Sequence, residues 1–97
     1  MAKYKLSVLA QRDLDKIYGD GLEKFGFKQA ILYLRQINEI VKLLSERPEI
    51  GRSRDELKQG LFCYTYKSHI IFFRKFKHHI RIVRILYGGM DLMRVIK

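Results

Sequence analysis

The order of apolar patterns along these 97 residues predicts an α+β fold, an antiparallel α-hairpin packed on a small, mainly antiparallel four-stranded sheet. Three observations carry that expectation. A short alternating stretch opens the chain, and two long segments with apolar residues every three or four positions follow it. After Gly60 the composition turns to β-branched and aromatic residues, broken only by short polar turns. No linker, repeat or low-complexity tract divides the chain, so residues 1–97 are expected to form one domain.

Each element can be read in order. Tyr4, Leu6 and Val8 alternate with Lys3, Lys5 and Ser7, as in a strand with one buried face. Ala10, Leu14, Ile17, Tyr18 and Phe25 then recur at helical spacing. Gly19 and Gly21 each cost such a helix about 1 kcal/mol relative to Ala, so its last turns are expected to be irregular. Gly26 is the natural terminator. A second helix is expected over 27–45, with Phe27, Ala30, Ile31, Leu34, Ile37, Val41 and Leu44 as its main stripe and Ile40 and Leu43 widening it. Arg47 precedes Pro48, which disfavours further helix.

Residues 48–60 form the one polar, loop-like region, punctuated by Pro48, Gly51 and Gly60, with a turn of helix expected at Asp55-Glu56-Leu57. Strands are expected over 61–66, 69–76 and Ile80–Tyr87, joined by turns at Lys67-Ser68 and Lys77-His78. Such short connections require antiparallel neighbours. The last strand is almost continuously apolar, which marks it as interior. A tail begins at Gly88.

Composition narrows the function classes. Twenty Lys+Arg oppose ten Asp+Glu, a net charge of +10, and the excess is uneven. Up to position 51 there are nine basic and seven acidic residues; from 52 onward there are eleven and three. Such a field attracts nucleic acid or acidic protein segments without distinguishing them. The single cysteine, Cys63, excludes an internal disulfide and reads as a small buried strand residue. No apolar run reaches the roughly 20 residues of a membrane helix, and the N-terminus lacks a signal-peptide pattern, so a cytoplasmic location is expected.

Local motifs for catalysis are weak. Ser68 and His69 are adjacent on a strand and so point to opposite faces. His78-His79 lies in a turn without a third ligand at useful spacing. No phosphate loop or CxxC appears. Neither a catalytic nor a metal or cofactor site is assigned.

The chain does carry an ordered set of family-like segments. These are Tyr4-Lys5-Leu6-Ser7 with Ala10 and Asp13-Leu14-Asp15-Lys16-Ile17, then Gly26 with Gln29-Ala30 and Tyr33. Arg47-Pro48-Glu49-Ile50-Gly51-Arg52, with Arg54-Asp55-Glu56-Leu57 and Gly60-Leu61, is the most specific. The stretches from Ser68 to Arg74 and from Ile80 to Asp91 complete it. In order and spacing they resemble the ParE toxins of the RelE/ParE superfamily, whose layout is βααβββ. Phe62, where the family often has a basic residue, is a departure, as is the absence of a histidine near Tyr87.

The resemblance implies the toxin of a type II toxin–antitoxin system that inhibits DNA gyrase by binding it and trapping its cleaved-DNA complex. It implies no enzymatic activity and no cofactor. It also implies a hetero-oligomer with a ParD-like antitoxin, a ribbon-helix-helix protein whose flexible tail wraps the toxin and through which operator DNA is reached indirectly. No membrane partner is expected.

Two rivals stand beside it. A RelE-like ribosome-dependent mRNA interferase needs an acid, a base and phosphate-binding cations. The stretch after the last strand, Gly88-Gly89-Met90-Asp91-Leu92-Met93, offers only Asp91, with Tyr87 at the strand end. A nucleic-acid-binding module would need Phe62, Tyr64, Tyr66, Phe72 and Phe73 exposed for stacking, whereas a sheet this small needs most of them in its core.

Candidate partner-binding residues, for gyrase or antitoxin, are Arg52, Arg54, Arg74, Arg81, Arg84, Met90, Asp91, Leu92 and Met93. Arg52, Arg54 and Asp55 fit a salt-bridged loop as well as a contact surface. The apolar tail fits packing on the sheet that a partner completes.

Overall fold

The computed structural model describes residues 3–96. Strand β1 (Tyr4–Leu6) leads into helices α1 (Val8–Phe25) and α2 (Phe27–Glu46). A 3-10 turn (Pro48–Ile50) and strand β2 (Arg52–Ser53) follow, then β3 (Phe62–Tyr66), β4 (His69–Lys75), β5 (Ile80–Tyr87) and a short helix α3 (Leu92–Ile96). The sheet order is β1-β5-β4-β3-β2, with β1 parallel to β5 and every other pair antiparallel. The α+β class, the helical hairpin and the interior position of the last strand are as expected. The sheet has five strands, not four, because two residues of the polar loop, Arg52 and Ser53, pair with Cys63 and Phe62.

The first strand ends earlier than its alternation suggests. Ser7 caps α1: its hydroxyl accepts from the Ala10 amide at 2.9 Å. The same hydroxyl donates to the Val83 carbonyl at 2.7 Å, and the Ser7 amide donates to Ile82. A serine able to satisfy an orphan helix amide outweighs one more alternating residue, so Val8 opens the helix and is 69% exposed.

Helix α1 runs unbroken through Gly19 and Gly21, against the expected irregularity. Gly21 lies where the helices meet, and a Cβ there would stand 3.3 Å from that of Ala30. Close packing against α2 offsets its weak propensity. Gly26 adopts φ +85, which favours glycine, and both ends α1 and starts α2. The sharp reversal leaves Phe25 and Phe27 at 70% and 64% exposure, so neither joins the apolar stripe as expected, and Leu43 is also largely outside it.

The main core lies between the hairpin and one sheet face. Ala10, Ile37, Val41 and Leu44 of the helices meet Ile71, Phe73, Ile80, Ile82 and Ile85 of the sheet. Fully burying a ring such as Phe73 is worth roughly 1.5–3 kcal/mol. The opposite face carries a smaller cluster, Leu61, Cys63, Phe72, Leu86 and Ile96, with Leu57, Ile70, Val83, Leu92 and Val95 packed around it. Both faces of β4 and β5 are therefore covered along much of their length.

A β-bulge reconciles β5 with these two cores. Phe72 pairs with Arg84 and Phe73 with Ile82, so Val83 has no partner in the register. The extra residue lets Ile82 and Ile85, three positions apart, both face the helices. Asp13 of α1 closes the site. Its carboxylate accepts from Arg84 Nε at 2.8 Å, from Arg84 Nη2 at 3.0 Å and from the Ile85 amide at 2.9 Å.

Two places in this architecture set measurable stability. Asp13→Ala should lower the free energy of urea unfolding by roughly 3 kcal/mol, because it strands a half-buried guanidinium and a strand amide together. Arg84→Met should cost less, since Asp13 keeps the Ile85 amide. Gly51→Ala should cost about 1–3 kcal/mol despite an ordinary φ of −73, because the new Cβ would lie 2.8 Å from Cε1 of the buried Phe73 ring. Thermal melts measure the second effect.

Candidate functional site

The structure sorts the nine candidate residues into three places. Arg84 and Arg54 are structural. Arg84 is bound in bidentate fashion to Asp13, with side chains only 19% and 12% exposed, and the hydrogen bonds it donates to Asp13 hold its pKa above the ordinary guanidinium value. Arg54 Nε donates to Glu56 Oε2 at 2.6 Å, and its Nη1 reaches Cys63 Sγ at 3.8 Å. The Glu56 hydrogen bond raises the Arg54 pKa, and the same bond lowers that of Glu56. Neither arginine lies open to a ligand as a free cation.

The partner of Arg54 is Glu56, not the adjacent Asp55. Asp55 accepts instead from the Gly60 amide at 2.8 Å. The Arg54 carbonyl accepts from the Leu57 and Lys58 amides, so Asp55-Glu56-Leu57 sits in a hydrogen-bonded turn and not in a helix.

The tail and Arg52 share the sheet face opposite the hairpin. Arg52 is paired in register with Cys63, which places both on that face. Helix α3 buries Ile96 there and lays Leu92 and Val95 against the same cluster. Met90 and Met93 stay 42% and 55% exposed. Asp91, also exposed, opens the helix by accepting from the Arg94 and Val95 amides through its carbonyl. The tail thus packs with one side and presents two methionines with the other, polarizable side chains suited to an adaptable protein contact.

Arg74 and Arg81 form the third group. They are directly opposite in the β4–β5 ladder, on the face opposite the hairpin. Arg81 also lies in register with Lys5 of β1. Arg74 Nη1 donates to the Gln59 carbonyl at 2.9 Å. Sequence reading missed Lys5, because only the parallel β1–β5 pairing brings it beside Arg81.

An aromatic cluster at the other end of the sheet was also missed. The Tyr33 hydroxyl and His69 Nδ1 share a hydrogen bond of 2.6 Å; Tyr33 stacks with Tyr66, and Tyr87 lies edge-on to His69. Lys67, held at φ +51 in the hairpin turn, places its ammonium 5.9 Å and 5.5 Å from the Tyr33 and Tyr66 ring centres. Burial, then the neighbouring Tyr66 phenol, raises the Tyr33 pKa, so this hydroxyl keeps its proton. Burial lowers the His69 pKa, with Asp20 opposing. The 33–69 partnership joins a helix to a strand across 36 positions, and no local spacing signals it.

The rings weighed for nucleic-acid stacking are accounted for differently. Phe72 and Phe73 are wholly buried, and Phe62, Tyr64 and Tyr66 pack partly buried against the main core.

A helical hairpin on one sheet face, with a short C-terminal helix and basic residues on the other, defines a small cationic binding protein built on the RelE/ParE layout. The comparisons with known proteins agree. Residues 4–92 match the model of the family described as "ParE toxin of type II toxin-antitoxin system, parDE". Toxin ParE1 of Mycobacterium tuberculosis (strain ATCC 25618 / H37Rv) is 33% identical over 94 residues, covering 96% of each chain. Toxin ParE3 of Caulobacter vibrioides (strain ATCC 19089 / CIP 103742 / CB 15) is 35% identical over 80 residues, covering 82% of this chain and 80% of its own.

Among solved structures, one titled "Chromosomal ParDE TA system from P. aeruginosa" superposes with a TM-score of 0.78 at 28% identity, covering 90% of this chain and 96% of that one. The chain belongs to the ParE toxin family of type II toxin–antitoxin systems. It is accordingly a binding toxin and not an enzyme. Among the described residues no helix is long and apolar enough to cross a membrane.

The His69 environment yields a pH effect of definite sign. The unfolded chain binds this proton more readily than the folded one. Stability is therefore full above the ordinary histidine value of about 6.5 and declines as the pH falls through it towards the depressed folded value. Melts between about pH 7.5 and 5.5 should show that decline, and His69→Gln should flatten it.

Proposed function

We propose that this chain acts in the cytoplasm, as a single domain over 1–97, by binding DNA gyrase and trapping its cleaved-DNA complex. A ParD-like antitoxin neutralises it in a hetero-oligomer, and operator DNA is reached only through that antitoxin. The observation that carries the proposal is the family match over residues 4–92. The likeness to a chain of the chromosomal ParDE system from P. aeruginosa supports an antitoxin of that kind for this chain. An action by grip also fits the geometry, since Arg84 and Arg54 are consumed by Asp13 and Glu56.

In this reading Arg52 and the exposed side of the tail, with Met90, Asp91 and Met93, contact a protein partner, and Leu92, half-buried against the sheet, borders that surface. Arg74 and Arg81 supply the positive field that an acidic antitoxin segment or the gyrase–DNA complex meets.

Purified gyrase provides the test. Added toxin should inhibit supercoiling and accumulate double-strand breaks after denaturation, and a ParD-like protein encoded beside it should reverse both. Cleavage of mRNA on translating ribosomes with supercoiling untouched would sink the proposal.

A further inference from the structure

We propose that the half of the sheet left bare by α3, where Lys5, Arg81 and Arg74 stand in one row, docks the phosphate backbone of DNA. The inference deepens the gyrase reading and rests on it for its setting: the DNA is that held by the enzyme. Its physical basis is separate.

Lys5, Arg81 and Arg74 occupy three adjacent strands at one level, since Lys5 pairs with Arg81 and Arg81 with Arg74. Their neighbours Tyr4, Leu6, Phe73, Ile80 and Ile82 all face the helix-side core. Alternation therefore turns the three cations to the opposite face, about 4.8 Å apart from strand to strand. Like charges directly opposite one another destabilise a sheet. Among the described residues none of the three has a carboxylate within ion-pair distance, as the salt bridges of this chain involve other cations. The row is a standing electrostatic cost that an anionic ligand would relieve.

Two further features suit a ligand. Arg74 is held in place: its guanidinium donates to the Gln59 carbonyl and lies against Gly60, where a Cβ would come within 3.1 Å of Nη1. At the same end of the sheet, Lys3, Lys5, His78 and His79 line a shallow cleft with Tyr4. The His79 ring is stacked on Phe76, with centroids 4.9 Å apart and planes 7° from parallel. Lys5 belongs to both row and cleft, so together they form one cationic surface.

The chemistry favours phosphodiester over an acidic peptide. A peptide of the amphipathic kind needs apolar seats beside its carboxylates. The apolar residues of this face, Leu57, Ile70 and Val83, are packed into the α3 cluster instead. Tyr4 in the cleft directs its hydroxyl to Asn38 on α2. Lysine, arginine and ring N–H donors match what phosphates require, and Phe76, exposed beside them, is taken up by stacking on His79.

The test uses the purified full chain and a labelled duplex of about 20 base pairs, with anisotropy read between about 50 and 200 mM salt. Lys5→Gln/Arg81→Gln should weaken duplex binding at least tenfold and reduce the salt slope by about 2. Lys16→Gln, which removes a cation paired with Asp20 on α1, should leave the slope unchanged. Melting of the double variant at or above the parent temperature checks folding, since the change removes repulsion.

Equal slopes for parent and double variant overturn the inference. So does a loss confined to a polyglutamate peptide with duplex binding retained. If the parent leaves gyrase untouched but its duplex binding depends on the row, the gyrase reading fails and the DNA surface stands. If gyrase is trapped equally by both proteins and the slopes match, the surface fails and the gyrase reading stands.

Discussion

The fold depends on the fastening of α1 to the bulge in β5. That bulge is needed because β5 serves two cores with a sequence that does not alternate, and the extra residue disrupts the ladder around it. Ser7 and Asp13, six positions apart on the first turns of α1, supply the missing partners at the Val83 carbonyl and the Ile85 amide. Arg84 then neutralises Asp13, so the carboxylate costs little to bury. Without this fastening the hairpin would have only apolar contacts to fix its position, and those are non-directional.

That arrangement divides the basic residues of the second half into two classes. Arginines with a carboxylate at hand, Arg54 and Arg84, are drawn into the architecture. Those on the face opposite the hairpin, Arg74 and Arg81, have none among the described residues, and the parallel pairing of β1 adds Lys5 to them. The same sheet face is apolar under α3 and cationic beyond it. A binding protein gains from such a division, because one region can seat side chains while the other meets charge. Neither requires the toxin to move atoms in covalent chemistry, in keeping with membership of the ParE family.

Much of the fold was legible in the chain, for reasons tied to particular residues. The stripe through Ala30, Ile37, Val41 and Leu44 is regular enough to announce a helix, and all four are buried. The turns at Lys67-Ser68 and Lys77-His78 are too short for anything but antiparallel pairing. Beyond such local signals the reading weakened. Ser7 continues an alternating pattern that predicts strand, although its hydroxyl caps a helix. Phe25 and Phe27 fell on helical spacing but flank a reversal that carries them past the core. Arg52 and Ser53 looked like loop because their strand is two residues long and exists only through β3. For the candidate partner residues the chain carried less: that the tail and Arg52 share one sheet face, and that Arg54 and Arg84 are paired with Glu56 and Asp13, depends on how the strands and helices dock.

Local periodicity, turn length and an ordered set of family-like segments were enough to determine the class of fold, the interior place of the last strand and the toxin family. These are properties of neighbouring residues and of their order, which the linear chain carries. Which cations stay free, which aromatics meet and which carboxylate closes the bulge were decided by tertiary structure alone. Those outcomes rest on pairs separated by 34 to 72 positions, such as Tyr4 with Asn38 and Asp13 with Ile85, and distance along the chain says nothing about their approach. Only the parallel docking of β1 and the crossing of the hairpin bring such groups within hydrogen-bond reach.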